Sequence, residues 1–300
     1  MLTGIHFLLT YACNFECDHC FLHCSPRSRG TFRIDQISQV LEEAGKIGTV
    51  EEEFFEGGEP FLFFPLLEES IRRAKAQGFE TGLVTNAYGA LSEEDALLWL
   101  RPLARAGLDF ISISNDTFHY GEEPDNPAAM ALAAARKLGL KASAICIEPP
   151  RVRQPAAGEE GRGKAIIGGG AKFRGRAADK LTKDLPTRPW EDLTECPYEA
   201  LESPSRVHVD AFGKVHICQG ISLGNMWQKP LSQLVAEYDP KSHPICGPLI
   251  QGGPAELVRR AGFEPQAGYV DECHLCYSTR KAVIDKHPDC LGPRQVYGLD

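Results

Sequence analysis

The chain has 300 residues and a formal net charge of −9, long enough for one large domain or a large and a small one. Its acidic balance argues against a general nucleic-acid binder or a basic membrane-surface protein. Hydrophobic residues make up 43% and charged residues 24%, as in a soluble globular protein, and no run reaches the ~18 apolar residues of a membrane span.

The opening MLTGIHFLLTYAC has no basic leader, and its apolar run ends at once in polar residues and cysteines. It reads as a strand, Ile5–Thr10, and not as a signal peptide, so a cytoplasmic location is expected. Ile34, Ile37, Val40, Leu41 and Ala44 then recur at helical spacing. Val50–Gly58 is the second predicted strand. Next comes a helix with Pro65 at its start and Gly78 at its end. Thr81–Ala87 is the third strand, and Ser92 with Asp95 resembles a capping box that opens a third helix. Asp109–Asp116 is the fourth strand, a further helix begins near Pro127, and Lys141–Glu148 is the fifth strand.

This alternation predicts an α/β fold, a mainly parallel sheet or a barrel with helices outside. Ligands bind such folds at the C-terminal ends of the strands. The chemistry-bearing residues sit there: cysteines after the first strand, GGEP after the second, TNAYG after the third and SND ending the fourth. Residues 149–189 are rich in Gly, Pro and Arg, with a sixth strand expected near Lys164–Ile167. Beyond residue 190 a β-hairpin is expected over Arg206–Cys218 with its turn at Phe212–Gly213, then a short helix near Leu231–Tyr238. The remainder is expected to be Pro/Gly-rich chain carrying Cys246, Cys273, Cys276 and Cys290.

Eleven cysteines are too many for core filling, and an odd count with no export signal argues against disulfides. Cys13, Cys17 and Cys20 form C-x3-C-x2-C on a loop after a strand. Three thiolates there can ligate three irons of a four-iron cluster and leave the fourth open, whereas a closed zinc site needs a fourth ligand.

CNFECDHC after strand one together with GGEP at Gly57–Pro60 resembles the radical SAM superfamily. The resemblance implies a partial (β/α)6 TIM-like barrel over residues 1–180, holding a [4Fe-4S] cluster on Cys13, Cys17 and Cys20. S-adenosylmethionine (SAM) would chelate the open iron, and its reductive cleavage would give a 5′-deoxyadenosyl radical that abstracts hydrogen from substrate. By the same resemblance Gly57, Gly58, Glu59 and Pro60 would meet the SAM amino group. Thr85 and Asn86 match the family's TNG turn, and Ser114, Asn115 and Asp116 would meet the ribose. FRGRA resembles the family's GRA segment, placing Arg176 near SAM or substrate. An electron donor such as flavodoxin or ferredoxin is implied. Two departures stand out: His19 replaces the usual aromatic before the third cysteine, and ASAICIEPP replaces the family's glycine-rich fifth-strand pattern.

Cys196, then Gly213-x4-Cys218, then Cys273-x2-Cys276 resembles the SPASM/Twitch extensions of that superfamily. The resemblance implies a small C-terminal α+β domain over residues 190–300 in which these four thiols hold one auxiliary iron–sulfur cluster. A structural zinc site on the same thiols is the alternative, and Cys246 or Cys290 could replace a ligand. Cys24 reads as a bystander. Cys146 in strand five reads as a small core residue or, more sharply, as a hydrogen-atom donor inside the barrel. His119 is either a solvated loop residue or a substrate contact. At least two of Glu51, Glu52, Glu53 and Glu56 are expected to be solvated. Arg151, Arg153, Arg162, Arg174 and Arg176 either clamp an anionic substrate or form a soluble loop.

The expected activity is that of a radical SAM oxidoreductase, with a peptide or protein side chain as the first expectation for substrate and a small-molecule dehydrogenase or epimerase as the second. Strand one begins so close to Met1 that no peptide-recognition domain is expected before it. A non-catalytic zinc or iron–sulfur protein, for electron transfer or binding, is the rival from another class. No nucleic-acid or membrane partner is expected.

Overall fold

A computed structural model describes residues 1–153, 156–158 and 166–299. The N-terminal alternation is present: β1 (Gly4–Thr10), α1 (Ile34–Ile47), β2 (Glu52–Gly57), α2 (Phe64–Ala76), β3 (Glu80–Thr85), α3 (Glu93–Ala106) and β4 (Phe110–Ser114). A single turn, α4 (Thr117–Tyr120), follows, then α5 (Pro127–Lys137) and β5 (Lys141–Ile145). These strands pair in parallel in chain order.

The period-2 alternation of β1 divides its residues between two cores. Ile5, Phe7 and Leu9 are buried with Ile37, Val40 and Leu41 of α1 and Leu67 and Ile71 of α2, under the outer helical layer. His6 and Leu8 take the other face, and Leu8 packs with the C-terminal part of the chain. Each such Leu or Ile, wholly buried, contributes ~1.5–3 kcal/mol. Helix ends follow their sequence signals. Ser92 Oγ accepts the Asp95 N–H at 3.1 Å, and Gly48 and Gly107 close α1 and α3 in the left-handed conformation.

The expected sixth barrel strand is not in this sheet. The short strands β6 (Arg151–Arg153) and β7 (Ile166–Gly168) form a separate antiparallel pair, and Lys164 and Ala165 lie outside the described residues. The chain continues through α6 (Arg176–Lys180) and β8 (Arg188–Pro189). The predicted hairpin, β9 (Arg206–Asp210) and β10 (Lys214–Cys218), then joins the main sheet with β11 (Ile221–Asn225). β9 lies parallel beside β1, so the sheet order is β11-β10-β9-β1-β2-β3-β4-β5. The architecture is thus an α/β partial barrel with a small antiparallel region at its C-terminal side, and the two share one sheet.

The tail is more helical than its composition suggests. After α7 (Leu231–Ala236) come α8 (Cys246–Ala261), the short strand β12 (Gly268–Tyr269) and α9 (Glu272–Ala282). Gly252, Gly253 and Pro254 look like helix breakers, and non-helical backbone at Gly252 and Gly253 does split α8 into two helical pieces. Gly253 has φ +63°, and a Cβ there would overlap the backbone of Thr194 and Glu195. The kink therefore seats the segment that leads into Cys196, which Ala255 N–H secures through Leu193 O at 3.0 Å. No helix of the described residues is long and apolar enough to cross a membrane.

Candidate functional site

The loop after β1 carries Cys13, Cys17 and Cys20 into the wall of a cavity at the C-terminal ends of the strands. Gly57 and Gly58 at the end of β2, Thr85 and Asn86 after β3, and Ser114 at the end of β4 line the same cavity. Four separate sequence signals therefore converge on one place. Gly58 shows why: a Cβ there would overlap the Ala12 carbonyl. Its N–H donates to Thr10 O at 2.7 Å, and the Glu59 N–H donates to Ala12 O at 2.9 Å. The end of β2 is thereby sewn to the root of the thiol loop.

Two of the loop's three sulfurs are already hydrogen-bonded. Cys13 Sγ accepts from Phe15 N–H at 3.4 Å and from Asn86 Nδ2 at 3.8 Å, and Cys20 Sγ accepts from Cys24 N–H at 3.4 Å. Burial pushes the Cys13 and Cys17 thiols up to about 12. The Cys20 thiol is pulled down to about 6, first by the hydrogen bond that the Cys24 thiol donates. Cys24 is buried behind Cys20 as its donor. A mononuclear zinc site with Zn–S near 2.3 Å would bring its sulfurs within about 4 Å of one another. Among the described residues no cysteine belongs to any trio of ligand atoms within 4.8 Å of one another. Three spread thiols around a cavity fit a body larger than one ion, as a four-iron cluster is.

Several expected contacts take other roles. The Glu59 carboxylate does not face the cavity. It is fully buried and accepts from Thr85 Oγ1 at 2.7 Å, Phe61 N–H at 2.8 Å and Asn86 N–H at 2.7 Å. Burial still pushes it up to about 7, against those donors. Pro60 is buried at the start of a 3-10 turn. Asn115 accepts from Asn126 Nδ2 at 2.9 Å. Asp116 caps α4 and binds His119 Nδ1 at 2.8 Å. Burial alone would raise Asp116, but the hydrogen bond and charge of His119 hold it below the usual carboxylate range. His119 is no solvated loop residue: it lines the cavity with His19, which burial pulls down to about 4.

Arg176 is buried beneath the loop. Its guanidinium donates to Cys17 O and Cys24 O, both at 2.8 Å, and its N–H donates to Cys20 O at 2.8 Å. It holds the loop's shape and does not line the cavity. Cys146 is exposed, since Ile145 and Ile147 on either side of it turn into the cavity. This corrects both the core reading and the interior-donor reading. Glu51 is exposed, Glu52 half-buried and Glu53 fully buried, and only Glu56 of the acidic run lines the cavity. Arg151 is exposed; Arg162 and the side chain of Arg153 lie outside the described residues.

Cys196, Cys218, Cys273 and Cys276 line a second, tighter cavity. Cys273 and Cys276 stand one turn apart at the start of α9, where the helix N-terminus favours thiolates. Arg174 lines this cavity too and is buried, so it is no part of a solvated arginine loop. Burial pushes Cys196 up to about 11 and also raises Cys273 and Cys276. Cys246 lies close behind them, held by Tyr238, and does not line the cavity. Cys290 sits apart, beside Asp289 and Lys214.

Sequence reading passed over His6 and His208, which meet Glu56 inside the barrel. The signal was present: in IHFLLT the polar His6 alternates with Ile5 and Phe7, which marks the inward face.

The sequence model of the radical SAM superfamily matches residues 7–147. YydG of Bacillus subtilis, named for peptide biosynthesis, is 28% identical over 107 residues, 36% of this chain and 34% of that protein. The tungsten-containing aldehyde ferredoxin oxidoreductase cofactor-modifying protein of Pyrococcus furiosus is 30% identical over 109 residues, 36% of this chain and 29% of that protein. The match thus spans about a third of the length of these curated relatives. Among solved structures, native anSMEcpe with bound AdoMet aligns over 95% of this chain and 98% of its own, with 12% identity and a TM-score of 0.48. Residues 7–147, the stretch that builds the thiol loop and the strand ends facing it, are thus similar in sequence to the radical SAM superfamily.

Proposed function

We propose that the chain cleaves SAM reductively on a [4Fe-4S] cluster held by Cys13, Cys17 and Cys20, and modifies a peptide or protein side chain. When bound, cluster and SAM supply one-electron cleavage of the sulfonium and a carbon radical that takes hydrogen from substrate. The observation that carries this reading is the convergence of three thiols, two of them hydrogen-bonded, and four strand ends on one cavity. Gly57 and Gly58 let a ligand approach the backbone closely. Ser114 and Asn86 offer polar groups to the cavity, and Phe15 and Phe21 offer apolar ones. Arg176 fixes the loop, and Asp116 orients His119 toward the cavity.

Cys196, Cys218, Cys273 and Cys276 are the proposed ligands of one auxiliary iron–sulfur cluster, in a C-terminal unit spanning residues 190–300 beside a barrel unit of residues 1–180. The peptide substrate is supported by the name of the Bacillus relative. A small-molecule dehydrogenase or epimerase is the second reading. An external one-electron donor such as flavodoxin or ferredoxin completes the scheme.

Anaerobic purification tests this directly. Two four-iron clusters give about eight irons per chain, and SAM with a strong reductant yields 5′-deoxyadenosine. Cys13→Ala abolishes that product. A zinc protein that leaves SAM intact overturns the reading.

A further inference from the structure

Deeper in the barrel than the thiol loop lies a polar group that the chemistry above does not use. His6 of β1, Glu56 of β2 and His208 of β9 come from three adjacent parallel strands. The register sets His6 opposite His208 and Leu8 opposite Glu56. Glu56 Oε1 is 2.9 Å from His208 Nε2 and 3.4 Å from His6 Nδ1, and one ligand atom from each residue lies within 4.8 Å of the other two. The side chains are 7%, 16% and 15% exposed for His208, Glu56 and His6. His6 is held by stacking on Phe54, centroids 4.9 Å apart. His6 Nδ1 and His208 Nδ1 are buried with no hydrogen-bond partner.

We propose that His6, Glu56 and His208 form a mononuclear binding site for a divalent transition-metal ion, with its open positions toward the cavity that Glu56 lines. Ligand atoms about 2.0–2.1 Å from a tetrahedral or octahedral ion lie about 2.9–3.4 Å from one another. The observed 2.9 and 3.4 Å match that spacing. At 3.4 Å the contact of His6 Nδ1 with Glu56 is looser than that of His208. Two imidazoles with one carboxylate select zinc or iron(II) over magnesium or calcium, which take all-oxygen sets. Three rigid neighbouring strands supply the donors, so little order has to be gained on binding. The open positions would present a Lewis acid to a carbonyl or carboxylate of a bound substrate. None of the seven cluster thiols takes part, and the site stands independently of the proposed reaction.

The test is zinc retention by the anaerobically purified, iron-loaded chain after incubation with a small excess of Zn2+ and desalting. About one zinc per chain is expected, with a nitrogen/oxygen first shell near 2.0–2.1 Å at the zinc absorption edge. Glu56→Gln and His208→Ala should lose it at least tenfold with iron content unchanged. His6→Ala, at a partly exposed position, is the further variant should either of those lose iron. The trio His19, Asp116 and His119 also lies within 4.8 Å, so His19→Ala serves as the control and should retain zinc. Zinc lost in His19→Ala but kept in His208→Ala, a sulfur shell near 2.3 Å, or no retention by the unaltered chain overturns the proposal.

Discussion

The Arg174 guanidinium donates to the Cys218 sulfur at 3.0 Å. It also pairs with Glu199 at 3.0 Å and lies 5.5 Å from the ring of Phe21, the neighbour of Cys20. One buried cation therefore touches both thiol-bearing regions. Burial alone would lower its pKa, but Cys218 and Glu199 raise it above the ordinary arginine value, so it stays charged. Arg174→Ala strands a Glu199 carboxylate that is 10% exposed and keeps only the looser contact to Arg206 at 3.6 Å. Breaking a buried pair costs about 3–5 kcal/mol. The denaturant midpoint should fall accordingly, and Arg174→Lys, which keeps the charge but not the fork, should lose less. An unchanged midpoint in Arg174→Ala would contradict this.

Arg176 spans two carbonyls of the thiol loop, Cys17 O and Cys24 O, with a planar fork that no other cation reproduces. Arg176→Ala should therefore lose the iron of the first site and with it 5′-deoxyadenosine formation, while the second thiol group keeps its iron. Total iron should drop by roughly half if two four-iron clusters are present. Arg176→Lys should recover only part of the loss. Iron-to-protein ratio and product yield, measured together, check this. Wild-type iron in the alanine variant would show that the loop holds itself.

Gly58→Ala places a methyl group against the Ala12 carbonyl, which is backbone and cannot step aside as a side chain would. Overpacking of this kind costs ~1–3 kcal/mol. The strain falls on the residue before Cys13, so cluster occupancy should fall more steeply than the unfolding midpoint. Gly45→Ala is the control, since nothing lies within 4 Å of a Cβ there. Equal iron content in the two variants would refute the close-approach argument.

The barrel was legible because each βα unit carries its own period and caps: Ile5, Phe7 and Leu9 alternate, Ile37, Val40, Leu41 and Ala44 step in helical turns, and Ser92 caps α3 as read. The thiols and GGEP were legible because they sit where such strands end. What failed to show was set by tertiary context. Gly252 and Gly253 do interrupt α8, but the packing of Gly253 against the Thr194 and Glu195 backbone is not encoded locally. That β9 would lie beside β1 depends on pairing across some 200 residues, which local pattern does not encode. The hydrogen bonds that Glu59 and Arg176 make escape the sequence for a related reason. Motif position brings a residue to the site, but its neighbours decide which way its polar atoms turn.

Glu59 offers the clearest pH dependence. Burial lifts its carboxyl from an ordinary 4.5 to about 7 in the folded chain. Between about 4.5 and 7 the folded state holds a proton that the unfolded chain has released. The unfolded state binds fewer protons there, so stability is greatest below this window, falls as pH rises through it and levels off above about 7. Glu59→Gln removes the titration, and its contribution should be flat. The amide nitrogen cannot accept the Asn86 N–H that Oε2 accepts at 2.7 Å, whereas a protonated carboxyl oxygen still can. The variant should therefore be less stable at pH 5 by ~1–3 kcal/mol, the cost of an unpaired buried donor. The gap should narrow toward pH 7 as the wild-type carboxyl ionises. Denaturant midpoints of the two chains at pH 5, 6 and 7 measure this directly, and two curves that run parallel would mean that Glu59 does not titrate in that range.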